Sequence, residues 1–410
     1  MNAPFKKHSG YDPLGDCGKG KCPVCARNNA VFRIKSILEK DEFFGDAVAP
    51  FVGRFGYPNV NVGILAPPEQ KEDAWLYDVP RYWAKNNFEI PKIVDFRSSL
   101  LNSRLNINIK KSSKYIEMSQ DIAMSSQPVD IEIQLYEKPK FRLNLDSYMA
   151  PTGPNARLKK ASITENPNIH TKVYKVFGDN ELKANDAISY LYENKFDETF
   201  LHKILSVGTL GLKKDRKLVP TRWSITATDD IIGKKIIETI KDFSEISSCT
   251  AFFGGYLGNY YLILLFQEVW SYELFETYTP SNCGFNFNLK CSTDYESYEG
   301  RKNYANSTAG GYYAARLPIL EKLKGIGKQA SVIALRFITD EYSMPLGVFV
   351  VREAARKAMS SPPIEFGSKE LMIKYAEALV KRKFNWDVTK LLKNSILLKN
   401  IRSQTKLSMF

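Results

Sequence analysis

Two apolar segments joined by a Gly-Asn pair constrain the fold of this chain most strongly. Residues 251–257 (AFFGGYL) and 260–266 (YYLILLF) flank Gly258 and Asn259. A short connection that contains glycine, placed between two apolar runs, is typical of a β-hairpin. The second run is apolar almost without interruption, which indicates a strand in the core of a sheet.

Apolar periodicity elsewhere predicts helices as well as strands. Residues 26–38 and 181–205 repeat apolar side chains at helical spacing, whereas residues 60–64 alternate apolar and polar side chains as a strand does. Two further strands are predicted at residues 331–338 and 345–351. This mixture indicates an α+β fold.

The charge balance favours a polyanionic partner. Lys and Arg number 58 and Asp and Glu number 45, so the net charge is 58 − 45 = +13, with an isoelectric point of about 9.2. No apolar run approaches the roughly 18 residues that a membrane-spanning helix needs. No apolar stretch follows the charged N-terminus either. We therefore expect a cytoplasmic protein with no membrane partner.

Three of the six cysteines lie close together near the N-terminus. Their C-x4-C-x2-C spacing, on a turn with glycines and a proline, suits a structural zinc ion held by thiolates. One ligand is missing from this set; His8 is the nearest candidate, and Cys283 or Cys291 would be the alternative. A loop of reduced cysteines is the other interpretation. The predicted ligands are Cys17, Cys22, Cys25 and His8.

The C-terminal segment concentrates positive charge. Residues 369–410 contain ten Lys or Arg and three acids, a net charge of 10 − 3 = +7 that exceeds half of the total. Apolar residues at helical spacing predict helices here, with their lysines facing outward. A solvated basic helix and a DNA-binding face are both consistent with this pattern.

The last seven residues have the pattern of a docking peptide. In a single 3₁₀ turn, side chains three apart eclipse, so Leu407 and Phe410 would project together while Gln404 remains available for a hydrogen bond. This is typical of the peptides that bind a sliding DNA clamp of the proliferating-cell-nuclear-antigen (PCNA) type, although the usual final aromatic position is absent. The alternative is a chance string within a helix.

Together these features predict an α+β fold with a mixed sheet core and amphipathic helices, a small N-terminal zinc knuckle and a helical basic C-terminal region. A chain of 410 residues with 44% hydrophobic residues is expected to form more than one unit. The predicted segments are 1–30 (zinc knuckle), 31–150 (N-terminal part of the α+β core), 151–367 (central α+β core), 368–402 (basic helical region) and 403–410 (clamp-interacting tail).

Two arginines have neighbours that suit contact with a nucleic acid. Arg54 lies between Gly53 and Gly56, whose small size lets a backbone or a phosphate approach the guanidinium. Arg222 precedes Trp223 after a lysine-rich segment, and this pair suits phosphate contact and base stacking. A glycine-rich hairpin tip and a solvated basic loop are the plainer alternatives.

Paired aspartates suggest a second kind of chemistry. Asp229 and Asp230 could hold Mg²⁺ or Mn²⁺ for phosphodiester hydrolysis. However, isoleucines recur every four residues over 232–240, and Thr228 is a suitable N-cap. We therefore favour a first helical turn, where negative charge is stabilising, over a catalytic site.

Four more polar residues join Arg54, Arg222, Trp223, Asp229 and Asp230 in one candidate cleft, which would hold DNA, a phosphate or an active site. Glu299 and Arg301 stand in a segment with tyrosines, and Arg352 and Glu353 follow the predicted strand at 345–351. The chain has only three histidines, so acid–base catalysis by imidazole is not expected. No catalytic residue is assigned.

Four strings give the chain a resemblance to a known family. They are FVGRFGYP at residues 51–58, RKLVPTRWSIT at 216–226, YEGRKNYANSTAGGYYAARL at 298–317 and MPLGVFVVRE at 344–353. In this order, and with a clamp peptide at the end, the chain resembles the archaeal Nre family of DNA repair proteins. The resemblance implies a role in DNA-damage repair and binding to the sliding clamp through the terminal peptide. Relatives tend to carry a further Cys-x2-Cys near the N-terminus, which this chain lacks.

We therefore expect a clamp-tethered DNA-repair factor that contacts DNA through phosphates and associates with the nucleoid. The alternative is a metal-dependent nuclease or another nucleic-acid hydrolase that uses Asp229, Asp230 or Glu299. An RNA-binding protein would fit the charge and the zinc knuckle but would leave the terminal peptide without a role. Whether the protein is an enzyme, and its oligomeric state, are left open by the sequence.

Overall fold

The computed structural model describes residues 22–38, 41–139, 151–279 and 291–403. Described residues up to 232, together with Met344–Leu346, form a first compact unit, and the others form a second. The five segments predicted from the sequence are finer than this division and stay a prediction. In the parts of the chain that the structure describes, no helix combines the length and the apolar character needed to cross a bilayer.

The first unit combines six strands with helices. The strands are β1 (Glu42–Ala47), β2 (Ala49–Val52), β3 (Asn59–Ala66), β4 (Leu101–Asn108), β5 (Val129–Leu135) and β6 (Asn155–Ile163). The α-helices are α1 (Pro23–Ile37), α2 (Pro80–Lys85), α3 (Ile90–Ser98), α4 (Lys114–Met124), α5 (Thr171–Gly178), α6 (Ala184–Glu193), α7 (Glu198–Ser206) and the start of α8 (Thr221–Ile240). Two 3₁₀ helices span Ala74–Asp78 and Lys213–Asp215.

The first sheet has the strand order β1-β5-β6-β4-β3-β2. Its neighbouring strands are antiparallel except for β4 and β6, which run parallel. Val60, Val62 and Ile64 on β3 are fully buried, which confirms the alternation predicted there. Val129 and Ile131 on β5 pack into the same apolar core, so one face of the sheet supplies much of the interior of this unit.

The second unit contains another six-stranded sheet. Its strands are β7 (Cys249–Tyr256), β8 (Asn259–Phe266), β9 (Ser271–Tyr278), β10 (Ser292–Glu296), β11 (Ser331–Ile338) and β12 (Ile364–Phe366), in the order β10-β9-β11-β8-β7-β12. Strand β11 is parallel to β9 and antiparallel to β8, so this sheet is mixed. The helices are the end of α8, α9 (Gly310–Ile326), α10 (Val348–Met359), α11 (Lys369–Phe384), α12 (Thr389–Asn394) and α13 (Ile396–Ser403). Two mixed sheets with helices confirm the α+β fold class.

The predicted hairpin is the β7–β8 pair. Tyr256 pairs with Asn259, which leaves Leu257 and Gly258 in the turn, one residue earlier than the Gly-Asn pair suggested. Both turn residues have positive φ, 49° and 72°, as a type I′ turn requires. A Cβ at Gly258 would lie 2.4 Å from the backbone nitrogen of Tyr342, so only glycine fits there.

The strand predicted at residues 345–351 is wrong, because this segment leads into a helix. Gly347 precedes α10 with a φ of 102°, and the helix begins at Val348. Both Val350 and Val351 are buried. A short β-branched run that is buried all round has no periodicity that separates a strand from a helix.

The long helix predicted at residues 181–205 is two helices, α6 and α7. Lys195 adopts a φ of 73°, which ends the first helix. The Asp197 carboxylate accepts a 2.8 Å hydrogen bond from the Phe200 amide and so caps the second helix. The apolar pattern continues across this break because both helices bury apolar side chains, among them Ile188 and Ile204.

Candidate functional site

Helices α11, α12 and α13 form a layer on one face of the second sheet; we call them the basic helical layer. Their apolar side chains pack into a core cluster with the sheet. The helix side chains in this cluster include Met372, Ala376, Val380, Leu391, Leu392, Leu397, Leu398 and Ile401, and the sheet side chains include Leu262, Leu264, Phe275, Ile333, Leu335 and Phe337. Burial of these side chains leaves the polar faces of the helices outside.

The outer side of the basic helical layer carries a concentrated positive charge. Eight exposed cations lie on its three helices: Lys374, Lys381, Arg382, Lys383, Lys390, Lys393, Lys399 and Arg402. The acids Glu370 and Asp387 stand at helix starts. Hydrogen bonds from its own amide and from Ser368 lower the pKa of Glu370, and those from Thr389 lower the pKa of Asp387. Most of the lysines and arginines are therefore available to an anionic partner.

A buried carboxylate on the sheet holds the start of the last described helix. Glu273, on β9, accepts hydrogen bonds of 3.0 Å from the amides of Ile396 and Leu397 and a short one from the Ser395 hydroxyl. Burial raises the pKa of Glu273, and these hydrogen bonds act against it. The N-terminus of α13 is thereby fixed to an inner strand of the sheet.

Part of the predicted site lies outside the described residues. Gln404, Leu407 and Phe410, which follow α13 in the sequence, lie outside the described residues, and so do His8 and Cys17. The clamp-binding and zinc-binding sets therefore stay predictions.

The described part of the zinc knuckle is a helix start. Cys22 is the N-cap of α1 and Cys25 lies in its first turn, and both side chains are half-buried. Residues three apart on a helix share a face, which suits two ligands of one ion. Within the four described ranges, no cluster of three or more His, Cys, Asp or Glu side chains could hold a metal ion.

Three of the predicted contact residues come together in the first unit. The Val52 amide donates a 2.9 Å hydrogen bond to the Thr221 hydroxyl, which ties the end of β2 to the start of α8. Next to this bond, the rings of Tyr57 and Trp223 lie 5.3 Å apart, tilted by 52°. We call Arg54, Phe55, Tyr57, Arg222 and Trp223 the aromatic–arginine surface; all five side chains are exposed.

Phe55 and Tyr57 also belong to this surface, although no contact role was predicted for them. The Arg54 guanidinium carbon lies 4.8 Å from the centre of the Phe55 ring, and that ring is 78% exposed. Both aromatic residues stand in the FVGRFGYP string, so the signal was present as aromatic residues among turn-forming glycines.

The prediction that Thr228 caps a helix is wrong. Helix α8 begins at Thr221, two turns earlier, so Thr228 and Asp229 lie in its interior, where both are fully buried. The isoleucine repeat becomes regular only at Ile232, so the apolar pattern does not reveal the start of α8 at Thr221. Asp230 is adjacent to Asp229 and half-buried, so the two side chains project in different directions from the helix.

In the second unit, Arg301 makes internal contacts. Its guanidinium donates hydrogen bonds to the Tyr295 carbonyl at 2.7 Å, the Tyr304 carbonyl at 3.2 Å and the Asp294 carboxylate at 3.1 Å. Glu299 is exposed in the turn just before it. Arg301 therefore braces the connection between β10 and α9.

Arg352 and Glu353 are buried within α10. Glu353 accepts a hydrogen bond from Arg356, and Arg356 also pairs with Glu321 on α9 at 3.1 Å. These contacts join two helices of the second unit. The structure thus groups Arg54, Arg222 and Trp223, whereas Arg301 and Glu353 belong to local ion-pair networks.

Comparison with known proteins matches almost the whole chain to one family. The model described as "Archaeal Nre, N-terminal" matches residues 17–283, and "Archaeal Nre, C-terminal" matches residues 296–410. The chain belongs to the archaeal Nre family. The resemblance inferred from the four strings is confirmed.

Three curated Nre relatives are similar over most of their length. DNA repair protein NreA of Haloferax volcanii is 35% identical over 337 residues, which cover 80% of each chain. DNA repair protein NreB of Archaeoglobus fulgidus is 34% identical over 391 residues, 95% of this chain and 96% of the relative. NreA of the same organism is 34% identical over 376 residues, 90% and 92% of the two chains. No solved structure matches this chain significantly.

Proposed function

We propose that this Nre protein is a DNA-repair factor that docks on a PCNA-type sliding clamp through residues 404–410 and contacts duplex DNA through the basic helical layer. The repair role is supported by the names of its three relatives. The observation that carries the DNA contact is the set of eight exposed cations on α11, α12 and α13. Each phosphate that such a cation neutralises releases a counterion, which favours binding.

The position of the tail supports a joint use of the two contacts. The tail follows Ser403, the last residue of α13, and seven residues span at most about 25 Å. A clamp held by Leu407 and Phe410 would therefore lie close to the basic helical layer. Because the clamp encircles the duplex, docking would bring DNA phosphates toward the lysines and arginines of that layer.

Two variants test the two contacts separately. In the first, residues 404–410 are deleted; in the second, Lys381, Arg382 and Lys383 are replaced by glutamate. We expect the deletion to abolish binding to the isolated clamp, measured by calorimetry, and to leave duplex binding within about twofold. The triple charge reversal is expected to do the opposite, with duplex affinity at least about tenfold lower and a shallower salt dependence.

The matched control replaces Lys234, Lys235 and Lys324 with glutamate, three exposed lysines of the second unit that lie on α8 and α9. It changes the net charge by the same amount but is expected to retain most of the duplex affinity. Clamp binding that survives the deletion would refute the docking role. Equal losses in the control and in the triple charge reversal would refute a specific role for the basic helical layer.

A further inference from the structure

Exposed aromatic rings are concentrated at the aromatic–arginine surface. Phe55 is 78% exposed, the highest value for a large hydrophobic side chain among the described residues, and Tyr57 and Trp223 are 45% and 47% exposed. Isolated surface aromatics are common, but a cluster of three is expected to mark a binding site. We therefore expect these rings to bind a partner through contacts with their aromatic faces.

Backbone hydrogen bonds hold three distant segments together at this surface. The Ile109 amide donates to the Pro58 carbonyl at 3.0 Å, and the Leu218 amide donates to the Ile109 carbonyl at 3.0 Å. With the bond from the Val52 amide to the Thr221 hydroxyl, these contacts join residues 51–59, 108–111 and 213–223. The segments that carry Phe55, Tyr57 and Trp223 are thus held together by hydrogen bonds.

The turn that carries Phe55 is itself fixed. The Gly53 amide donates to the Asn61 carbonyl at 2.7 Å, and the Asn59 amide donates to the Gly56 carbonyl at 2.9 Å. Gly56 has a φ of 82°, and a Cβ there would lie 2.7 Å from the Asn59 carbonyl oxygen. The glycine permits a tight turn that presents its side chains outward.

The charge around the rings is strongly positive. The three segments contain eight Lys or Arg and one acid, Asp215, so their net charge is 8 − 1 = +7. One of the eight, Arg216, donates to three backbone carbonyls and holds the loop in place. The other cations are exposed: Arg54, Lys110, Lys111, Lys213, Lys214, Lys217 and Arg222.

Exposed rings among cations match one class of ligand, a polyanion with free aromatic faces. In duplex DNA the base faces are covered by neighbouring bases, so a protein ring can stack only on a base that is unpaired. Phosphates on either side would then contact the lysines and arginines. Because Tyr57 and Trp223 are tilted by 52°, they present separate faces rather than one flat platform.

We infer that the aromatic–arginine surface binds single-stranded DNA by stacking unpaired bases on Phe55, Tyr57 and Trp223. The choice of DNA over RNA rests on the proposed function. This site would recognise the exposed strand of a gap or bubble, whereas the basic helical layer would contact paired DNA. The two units would therefore read different features of damaged DNA.

The test measures the binding of full-length protein to labelled oligo(dT), oligo(rU) and a hairpin duplex by fluorescence anisotropy. The variant combines Phe55→Ala and Trp223→Ala, and the control is Trp75→Ala, which removes a 43% exposed tryptophan elsewhere in the first unit. We expect the double variant to bind oligo(dT) at least about tenfold more weakly than the parent, with duplex binding changed less than about twofold. The Trp75→Ala control should match the parent, and Trp223→Phe, which keeps an aromatic face, should retain most of the affinity.

Two results would overturn the inference. Unchanged oligo(dT) affinity in a double variant that melts like the parent would show that the rings do not stack on bases. Tighter binding of oligo(rU) than of oligo(dT), lost in the same variant, would assign the surface to RNA. The triple charge reversal in the basic helical layer separates this inference from the proposed function, because it should weaken duplex binding and leave oligo(dT) binding intact.

Discussion

The Arg316 guanidinium lies 2.7 Å from the Glu296 carboxylate in the interior of the second unit, and both side chains are almost completely buried. A second pair joins the buried Arg336 to the partly buried Glu276 at 2.5 Å, and Arg336 also donates hydrogen bonds to the Asn259 side chain. A charge buried with its partner fixes geometry more than it adds stability, because desolvation offsets the attraction. At the residue scale, these ion pairs position elements in the interior of the second unit, whereas the aromatic rings described above are exposed to solvent.

Asp78 provides a prediction at this scale. Its carboxylate lies 3.0 Å from the Lys203 ammonium, and both side chains are mostly buried. Burial acts to raise the pKa of Asp78, but the charges of Lys203 and Arg97 outweigh burial and hold the pKa below its ordinary value. A lowered pKa in the folded state stabilises the protein above the unfolded value of about 3.9, and this contribution is lost as the pH falls through the folded pKa.

We therefore expect Asp78→Asn to reduce the free energy of unfolding by about 1 kcal/mol at pH 7, with a smaller difference below pH 4. Urea unfolding at pH 7, 5 and 3 measures this. Asp95→Asn is the matched control, since the Arg33–Asp95 pair is more exposed and should contribute less than about 0.5 kcal/mol. A difference between Asp78→Asn and the parent that is constant over this pH range would contradict the assignment.

Among the elements, α13 is held in an unusual way, because its N-terminus is capped by a side chain from the sheet. Glu273 receives two backbone amides of α13 and the Ser395 hydroxyl. The apolar side of the helix, Leu397, Leu398 and Ile401, packs into the core next to the same sheet. Capping and packing together hold an eight-residue helix that would be unstable alone.

Glu273→Ala is expected to destabilise the protein by about 2–3 kcal/mol, because amides buried at the start of α13 would lose their acceptor. Denaturant unfolding measures the total effect. Relative to the parent, amide hydrogen exchange in the variant should be accelerated more in α13 than in β8. The control Glu245→Ala removes an exposed carboxylate of the same unit and should be close to neutral. Unchanged exchange in α13 would show that the cap is dispensable.

The elements also show how far the sequence could be read. The β7–β8 hairpin was predictable because both its turn and its apolar strand are encoded locally. Helix α10 was not, since a buried β-branched run such as VFVV fits a helix or a strand until its neighbours are known. The aromatic–arginine surface was predicted only in part: Arg222 and Trp223 are adjacent in sequence, but Tyr57 joins them through hydrogen bonds between segments more than a hundred residues apart.

At the scale of the whole molecule, positive charge is divided between two surfaces. Residues 369–403 contribute 9 − 3 = +6 and the three segments around the aromatic–arginine surface contribute +7, against a total of +13. The rest of the chain is therefore close to neutral. Such clustering concentrates the attraction for a polyanion at the two surfaces.

The proposed function predicts cooperation between the tail and the basic helical layer. We expect full-length protein to bind clamp loaded on DNA at least about 100-fold more tightly than isolated clamp, because each contact raises the effective concentration for the other. Deletion of residues 404–410 and the triple charge reversal should each remove most of this gain. Surface plasmon resonance in 50 and 200 mM salt measures it, and the gain should shrink with salt while binding to isolated clamp does not.

The Glu273 cap also has a mechanical consequence. A pull that reached the first turn of α13 would pass there to β9, a strand paired on both sides. The cap does not hold the later turns of α13, so a steady pull would unwind the helix from its C-terminal end only as far as the turn that Glu273 holds.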